Sequence, residues 1–470
     1  MKHLFIYLLS FFLFSCQENK ENFFSKDTIP KQTRFLMLDN RNIDELINAK
    51  LVLGKVKKHS KNPLFGEDMP WEKRFDNLYG NIIFDEEDKL YKCWYSPFIV
   101  DYSAKGMTLE ERQKPYDDNH PDREMGICYA FSKDGINWEK PNLGLVEYNG
   151  NKNNNIVWRG PHGAGIFKDK YETDPNKRYK ILYQGIFTSF SKDGINWDNP
   201  IPIKGVDVAG DTHNNAFWAP TLKKYVGITR TWRKTPNKWF RQVARIESSD
   251  FINWTKEQVV FEGDGIKDQT YAMPVFYHAG VYLGLLAVYN GETDKTTTEL
   301  TWSPDTKVWN RISPGIPLIP NSEKVLDHDY GCIYACALPI FLKDEIRLYY
   351  GGSDYLHFGW RNGSLSLATL RPDGFAGIKQ NKVEKKSLIK TKPIMIDKQK
   401  LRLSADVYDG GYVKVTILDL DNTILAVSQK INQNVTDKVL VFNKNIENKR
   451  IKLQFDFHKS TIYSYSLEKN

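Results

Sequence analysis

The heptapeptide Ser-Lys-Asp-Gly-Ile-Asn-Trp occurs twice, at 132–138 and 191–197. It returns in eroded form as Ser-Ser-Asp-Phe-Ile-Asn-Trp at 248–254 and Ser-Pro-Asp-Thr-Lys-Val-Trp at 303–309. Its tryptophans fall 59, 57 and 55 residues apart, and a fifth trace, Leu-Arg-Pro-Asp-Gly-Phe, follows at 370–375. A period of this size marks stacked modules or radial blades, in which each unit buries its apolar faces against copies of itself.

Ahead of each copy lie two short runs rich in β-branched and aromatic residues, such as 81–84 and 91–95, or 164–167 and 179–183. They read as strands separated by polar turns, and a third run, as at 126–131, leads into the heptapeptide. Asp-Gly then supplies a tight turn, because glycine accepts positive φ, and the tryptophan opens a fourth strand. Four antiparallel strands per unit, five units and no amphipathic helix between them predict an all-β chain, a five-bladed β-propeller over 71–377; a sandwich is the competing all-β answer. The heptapeptide reads as structural, its Asp capping the turn and its Trp filling the space between neighbouring units. The flank 23–69 suggests one short helix at 42–51, within an N-terminal segment spanning 16–70. The alternating runs of 382–470 suggest a small β-sandwich.

Met1-Lys-His, the apolar run 4–14 and Ser15-Cys16 have the form of a secretory signal. Leu13-Phe-Ser-Cys16 resembles the bacterial lipoprotein box, which implies cleavage after residue 15, a lipid on the Cys16 sulfur, a polar tether and attachment to the outer membrane of a Gram-negative bacterium. An ordinary secretory signal is the alternative. The chain carries 66 Lys+Arg against 58 Asp+Glu, a formal charge of +8, without a basic block of the nucleic-acid kind. Cys93 and Cys128 fall in neighbouring predicted strands, as a disulfide or as buried thiols. Cys332 and Cys336 lack the partner spacing of a zinc site. No cofactor fingerprint is present, which leaves room only for a divalent ion on the axis held by Asp or His.

In a radial arrangement the starts of the first strands and the loops between second and third strands share one face. The strand starts read Asp76-Asn77, His162, Asp211-Thr-His213-Asn214, Asp268-Gln269 and Asp327-His328-Asp329. The loops add His120, Arg123, Glu124, Arg230, Arg233, His357 and Arg361, and the longest, 98–125, has the length of a functional wall. Aspartates so placed commonly cap turns, and His213 and His357 also fit structural roles. Converging carboxylates beside aromatic and arginine side chains nevertheless suit sugar chemistry, in which one carboxyl protonates the leaving oxygen and another attacks or activates water. Arginine would suit an anionic substituent.

The five units, the strand-start aspartates and the trailing sandwich resemble the five-bladed propeller glycoside hydrolases of families 43 and 32. The resemblance covers roughly 71–470 and lies more in architecture than in motif. It implies a glycosidase working on a polysaccharide-derived oligosaccharide, exo-acting if the 98–125 loop closes one end of the site. Asp76 in Phe-Asp-Asn would be nucleophile or base, with Asp211 or Asp268 as auxiliary acid group. Asn77, His162, His213, Asn214, Arg230, Gln269, Asp329, His357 and Arg361 would bind substrate. The sequence departs from the pattern at the general acid: no Glu begins a later first strand, which leaves Glu124, and His162 stands where family 43 has an Asp. The Asn-Asp-Pro-Asn, Arg-Asp-Pro and Glu-Cys motifs of family 32 are absent. The rival readings are an inverting phosphorylase, with Arg230, Arg233, His213 and His357 holding phosphate, and a non-catalytic glycan-binding surface lipoprotein.

Overall fold

The computed structural model describes residues 26, 31–117, 119–397 and 399–468. The expected signal at 1–15 and the lipid on Cys16 lie outside the described residues. The chain is all-β, organised in several antiparallel sheets.

Each sequence unit forms a meander. The first comprises Asn81–Asp85, Leu90–Tyr95, Glu124–Ser132 and Trp138–Glu139; the second Gly165–Lys168, Tyr179–Tyr183, Phe187–Ser191 and Ile201–Pro202. The third is built from Asn215–Ala219, Lys224–Lys234, Trp239–Ser248 and Gln258–Glu262. In the fourth, Gln269–Ala272 and Val275–His278 precede Val281–Asn290, Lys295–Ser303 and Asn310–Arg311. In the fifth, Cys332–Ala335 and Ile340–Phe341 precede Ile346–Ser353 and Gly363–Leu370. The early strands are buried on both faces, as Asn-Ala-Phe-Trp-Ala at 215–219 is throughout, because each sheet is covered by its neighbours.

Side chains and backbone tie each first strand to the next. Asn81 Nδ2 donates to the Ala164 carbonyl at 2.7 Å, Asn214 N to Gly163 O at 2.8 Å, and Val275 N to Asn215 Oδ1 at 2.9 Å. Thr296 pairs in parallel with Cys332, and Ala337 N donates to Gly80 O at 2.9 Å, which returns the series to the first sheet. The buried amines follow the same logic. Lys92 is satisfied by Asp85 at 2.8 Å and Lys180 by Asp169 at 3.1 Å, as a charge removed from water must be.

The heptapeptide is a structural device. Asp134 Oδ1 accepts from the backbone N–H groups of Ile136 and Asn137, both at 2.8 Å, and Asp193, Asp250 and Asp305 repeat the cap. The residue after each Asp is left-handed: Gly135 at φ 74°, Gly194 at 79°, Phe251 at 65° and Thr306 at 67°. The preceding sheet grips this turn, since Tyr349 OH donates to Gly135 O at 2.8 Å and Trp94 Nε1 to Gly194 O at 2.7 Å. A Cβ on Gly194 would stand 2.6 Å from the Trp94 ring. Gly194→Ala is therefore expected to cost about 2–4 kcal/mol, combining left-handed strain with overpacking, as read from urea unfolding. The fifth trace departs from the pattern: Asp373 binds Arg34 at 2.6 Å and Ser464 at 2.6 Å, and the chain passes directly into the C-terminal sheet.

The N-terminal segment corrects two expectations. No helix spans residues 42–51: Asn42 closes a single 3-10 turn that begins at Asn40, and the rest is extended. Ile43–Ile47 and Ala49–Leu53 are strands separated at Asn48, whose φ of 46° breaks the run, and each pairs with a C-terminal strand. Pairing with distant strands overrides local preference. Lys57–Lys58 and Phe65–Gly66 then complete the outer edge of the fifth meander, so this unit is assembled from both ends of the chain. The C-terminal sheet is organised by two long strands, Lys400–Leu418 and Lys449–Glu468, which pair along their length with a break in register between Val407 and Tyr412. Leu403, Val415, Leu453 and Phe455 sit in its single apolar core. Cys93, Cys128, Cys332 and Cys336 are buried free thiols, which settles Cys93 and Cys128 against a disulfide.

Candidate active site

The links between first strands draw their leading residues together. Asp76, Leu78 and Tyr79 have φ of 50°, 61° and 45°, three left-handed residues within four positions. Each costs about 1–2 kcal/mol, and such strain is concentrated at functional sites. It turns the Asp76 carboxylate toward two guanidiniums: Arg361 Nη2 donates to Oδ1 at 2.7 Å and Arg74 Nη2 at 3.2 Å. Burial alone would raise this carboxyl, but Arg361 and Arg74 overcome it and hold Asp76 well below the usual carboxylate range. Arg361, itself buried, also donates to Asn77 Oδ1 at 3.1 Å and Ser353 Oγ at 3.2 Å.

Behind this pair stands a floor of tyrosines and histidines. Tyr271 and Tyr334 pack with ring centres 5.2 Å apart, and Asn77 Nδ2 donates to Tyr79 OH at 2.8 Å. His162 and His213 lie against Tyr79 at 5.3 and 5.4 Å, and His357 lies against Tyr271 at 5.2 Å. Burial lowers all three histidines, His213 to about 3, so they are neutral at physiological pH. His162 feels the charges of both Asp76 and Asp211. The Asp211 carboxylate is half exposed and ion-paired with the buried Arg230.

Other residues expected in the site are committed elsewhere. Asp268 is held by Arg311, which also grips Glu299. Glu124 forms a two-toothed ion pair with Arg159 at the base of the long loop. Asp329 is buried under Lys58 at 2.6 Å and Tyr350 OH at 2.8 Å, and so anchors the N-terminal strand. The Asn214 amide is spent on the carbonyls of Gly163, Gly210 and Thr212, and His213 Nε2 lies 3.1 Å from Asn81 Oδ1. Gln269 stays near the centre, accepting from Arg241 Nη1 at 3.0 Å.

Three ionisable groups join the site without having been anticipated. Asp294, between the second and third strands of the fourth meander, accepts from Tyr289 OH at 3.0 Å and from Phe358 N at 2.9 Å, while its own carbonyl receives His357 N. Burial raises its pKa despite those bonds and the nearby Arg361 and Arg241. Glu67 lies behind Asp76, with Oε1 accepting from Phe75 N at 2.7 Å and Gly363 N at 2.9 Å, and burial pushes it up to about 8. Arg241 is flanked by the rings of Trp232, Tyr271 and Tyr289. The alternation of strand Trp239–Ser248 was the available sign for Arg241; for Asp294 it was a short polar turn on the site's face.

Aromatic walls surround these groups. The long loop carries Tyr102 and Tyr116 to within 6.2 and 4.9 Å of the Trp360 ring, and it is pinned there by Arg112, which donates to Asp354 at 2.8 Å and to Trp360 O at 3.2 Å. A helical turn at Leu109–Arg112, closed by a Thr108–Glu111 capping box, fixes the loop's middle. The hairpin bearing Trp232 and the exposed Trp239 and the exposed ring of Phe358 add further apolar faces. Such rings pack on the C–H face of a pyranose. Among the described residues, no group of three or more His, Cys, Asp or Glu is arranged to hold a metal ion.

No family model matches the chain, and no curated protein matches it. Solved structures do. An N-acetylgalactosamine deacetylase from F. plautii in complex with blood group B trisaccharide has a TM-score of 0.45 at 12% identity, over 69% of this chain and 96% of that one. A GH130-family structure, described among mannoside phosphorylases and glycoside hydrolases that target β-1,2 mannosidic linkages in Candida mannan, has a TM-score of 0.42 at 15% identity, over 68% and 95%. A family 43 arabinoxylan arabinofuranohydrolase from Bacillus subtilis in complex with cellotetraose has a TM-score of 0.42 at 10% identity, over 87% of this chain and 97% of that one.

Proposed function

We propose that the five meanders are the blades of a β-propeller and that the protein is a glycoside hydrolase acting at its centre. The observation that carries this reading is the divergence of two carboxyl groups that both feel the charge of Arg361: Asp76 is held ionised by paired guanidiniums, whereas burial raises Asp294 toward its protonated form. Carboxyls pushed apart in this way divide acid and base roles between them. Asp76 serves as nucleophile or base and Asp294 protonates the departing oxygen. Asp211 and the tyrosine floor position the sugar, which the aromatic walls hold by its faces.

The assignment of Asp294 separates two substrates. Asp294→Asn is expected to slow cleavage of an unactivated oligosaccharide by about 10²–10³-fold, the range of general acid catalysis. An aryl glycoside with a good leaving group needs little protonation and should lose far less. Because the protonated form is required, wild-type kcat/KM should fall as pH rises through the raised Asp294 pKa, above the ordinary value of about 4, and this limb should vanish in the variant. Equal losses on both substrates would remove Asp294 from the acid role. Turnover that requires inorganic phosphate would instead favour a phosphorylase, the reading to which Arg230 and its neighbours lend themselves.

A further inference from the structure

We propose that the sugar bound at this centre carries an anionic substituent, received by the guanidinium of Arg241; the inference rests on the glycan reading above and names the substrate class. Arg241 projects from strand Trp239–Ser248 and lies over Trp232 at 5.1 Å, Tyr271 at 4.7 Å and Tyr289 at 4.9 Å. Its Nη1 donates to Gln269 Oε1 at 3.0 Å. Among the described residues no carboxylate lies within ion-pair distance of it. Its neighbours differ: Arg74 and Arg361 share Asp76, Arg230 holds Asp211, and Arg233 holds Glu262.

Charge makes this difference informative. Arg230 stacks on the same two rings as Arg241, at 4.8 Å from Trp232 and 4.9 Å from Tyr271, and its Nε and Nη1 are buried without an acceptor. Two guanidiniums thus share one aromatic lining, and only Arg230 has a carboxylate partner there, that of Asp211. A cation partly removed from water beside a second cation is costly unless an anion joins it. The exposure of Arg241 is intermediate, so a ligand can reach it, whereas Arg230 and Arg361 are buried. Gln269 fixes one edge of the planar guanidinium and leaves the rest to an oxyanion, a carboxylate or a sulfate ester, approaching between the rings. Asp294 lies beyond ion-pair distance, and its raised affinity for a proton weakens it as a competing partner.

Calorimetric binding of methyl glycosides of glucuronate, galacturonate and the 6-sulfated hexoses, beside methyl glucoside and methyl galactoside, tests the pocket, with inorganic phosphate as a separate arm. At least one charged glycoside should bind about tenfold or more tightly than its neutral counterpart, a difference of about 1.4 kcal/mol, and the preference should shrink as NaCl is raised. Arg241→Met, which keeps an apolar stem against the rings, should abolish the preference, and Arg241→Lys should restore part of it. Equal binding of charged and neutral sugars, or a preference that survives Arg241→Met, overturns the proposal. It is also overturned if phosphate alone is captured through Arg241, since the site would then serve a free anion. A protein that selects charged sugars through Arg241 but cleaves no glycoside supports the pocket while sinking the hydrolase reading.

Discussion

Replacing Asp76 by asparagine is expected to reduce turnover about 10⁴-fold, the upper end for loss of one acid–base group, on whichever oligosaccharide a glycan screen identifies. The effect should be large because no neighbour can take its part: Glu67 behind it is spent on the N–H groups of Phe75 and Gly363, and burial pushes it up to about 8. Asn77 is an amide bonded to Arg361 and Tyr79, the three histidines are neutral and buried, and Asp211 is tied to Arg230. An amide can neither attack an anomeric carbon nor take a proton from water. Binding of substrate should persist, since the aromatic walls and Arg241 are untouched, so the loss belongs in kcat. Initial rates with product analysis give the measurement, and a melting curve confirms that the variant is folded. Wild-type turnover by Asp76→Asn would remove this carboxylate from the chemistry, whatever else the centre binds.

The repeat was legible because its physics is local. An Asp three residues before an Asn, with glycine between, closes the same turn at Asp134 and Asp193 wherever it occurs, and a tryptophan four residues beyond the Asp lands against the preceding sheet. The early strands announced themselves through apolar runs for the same reason. What could not be read was which of several equivalent aspartates would be held at the centre and which drawn to partners away from it. Asp76, Asp211, Asp268 and Asp329 occupy matching strand starts, yet Arg311 from the same sheet claims Asp268, and Lys58 from the opposite end of the chain claims Asp329. That second partner belongs to a segment whose strands pair only with distant strands, so neither its extended form nor its counter-charge was visible locally. Asp294 was hidden differently. Its sequence context is an ordinary polar turn, and its proton affinity arises from burial, which outweighs the opposing hydrogen bonds from Tyr289 and Phe358.

The ion pair itself should dominate the stability of the centre. Arg361 and Asp76 are both largely buried, so Arg361→Met leaves a carboxylate with only Arg74 for compensation, and breaking a buried pair from one side costs about 3–5 kcal/mol. The pH dependence identifies the cause. In the wild type the folded pKa of Asp76 lies below its unfolded value of about 3.9. The pair therefore adds stability that is present above that value and is lost only as pH falls through the depressed folded pKa. Without Arg361, burial of the carboxyl is opposed chiefly by Arg74, and the folded pKa should rise. If it rises past the unfolded value, the sign reverses: the variant binds its proton more tightly when folded and loses stability as pH climbs from that value through the new folded pKa. Urea unfolding should then show a larger deficit relative to wild type at pH 7 than at pH 4. Asp76→Asn combined with Arg361→Met replaces the pair by neutral groups and should cost less than the two single changes together, because Arg74 is then the one buried charge left without its partner. Additive losses, or a deficit in Arg361→Met that does not change between pH 4 and pH 7, would mean that Arg361 acts as packing and that Asp76 owes its ionised state to Arg74.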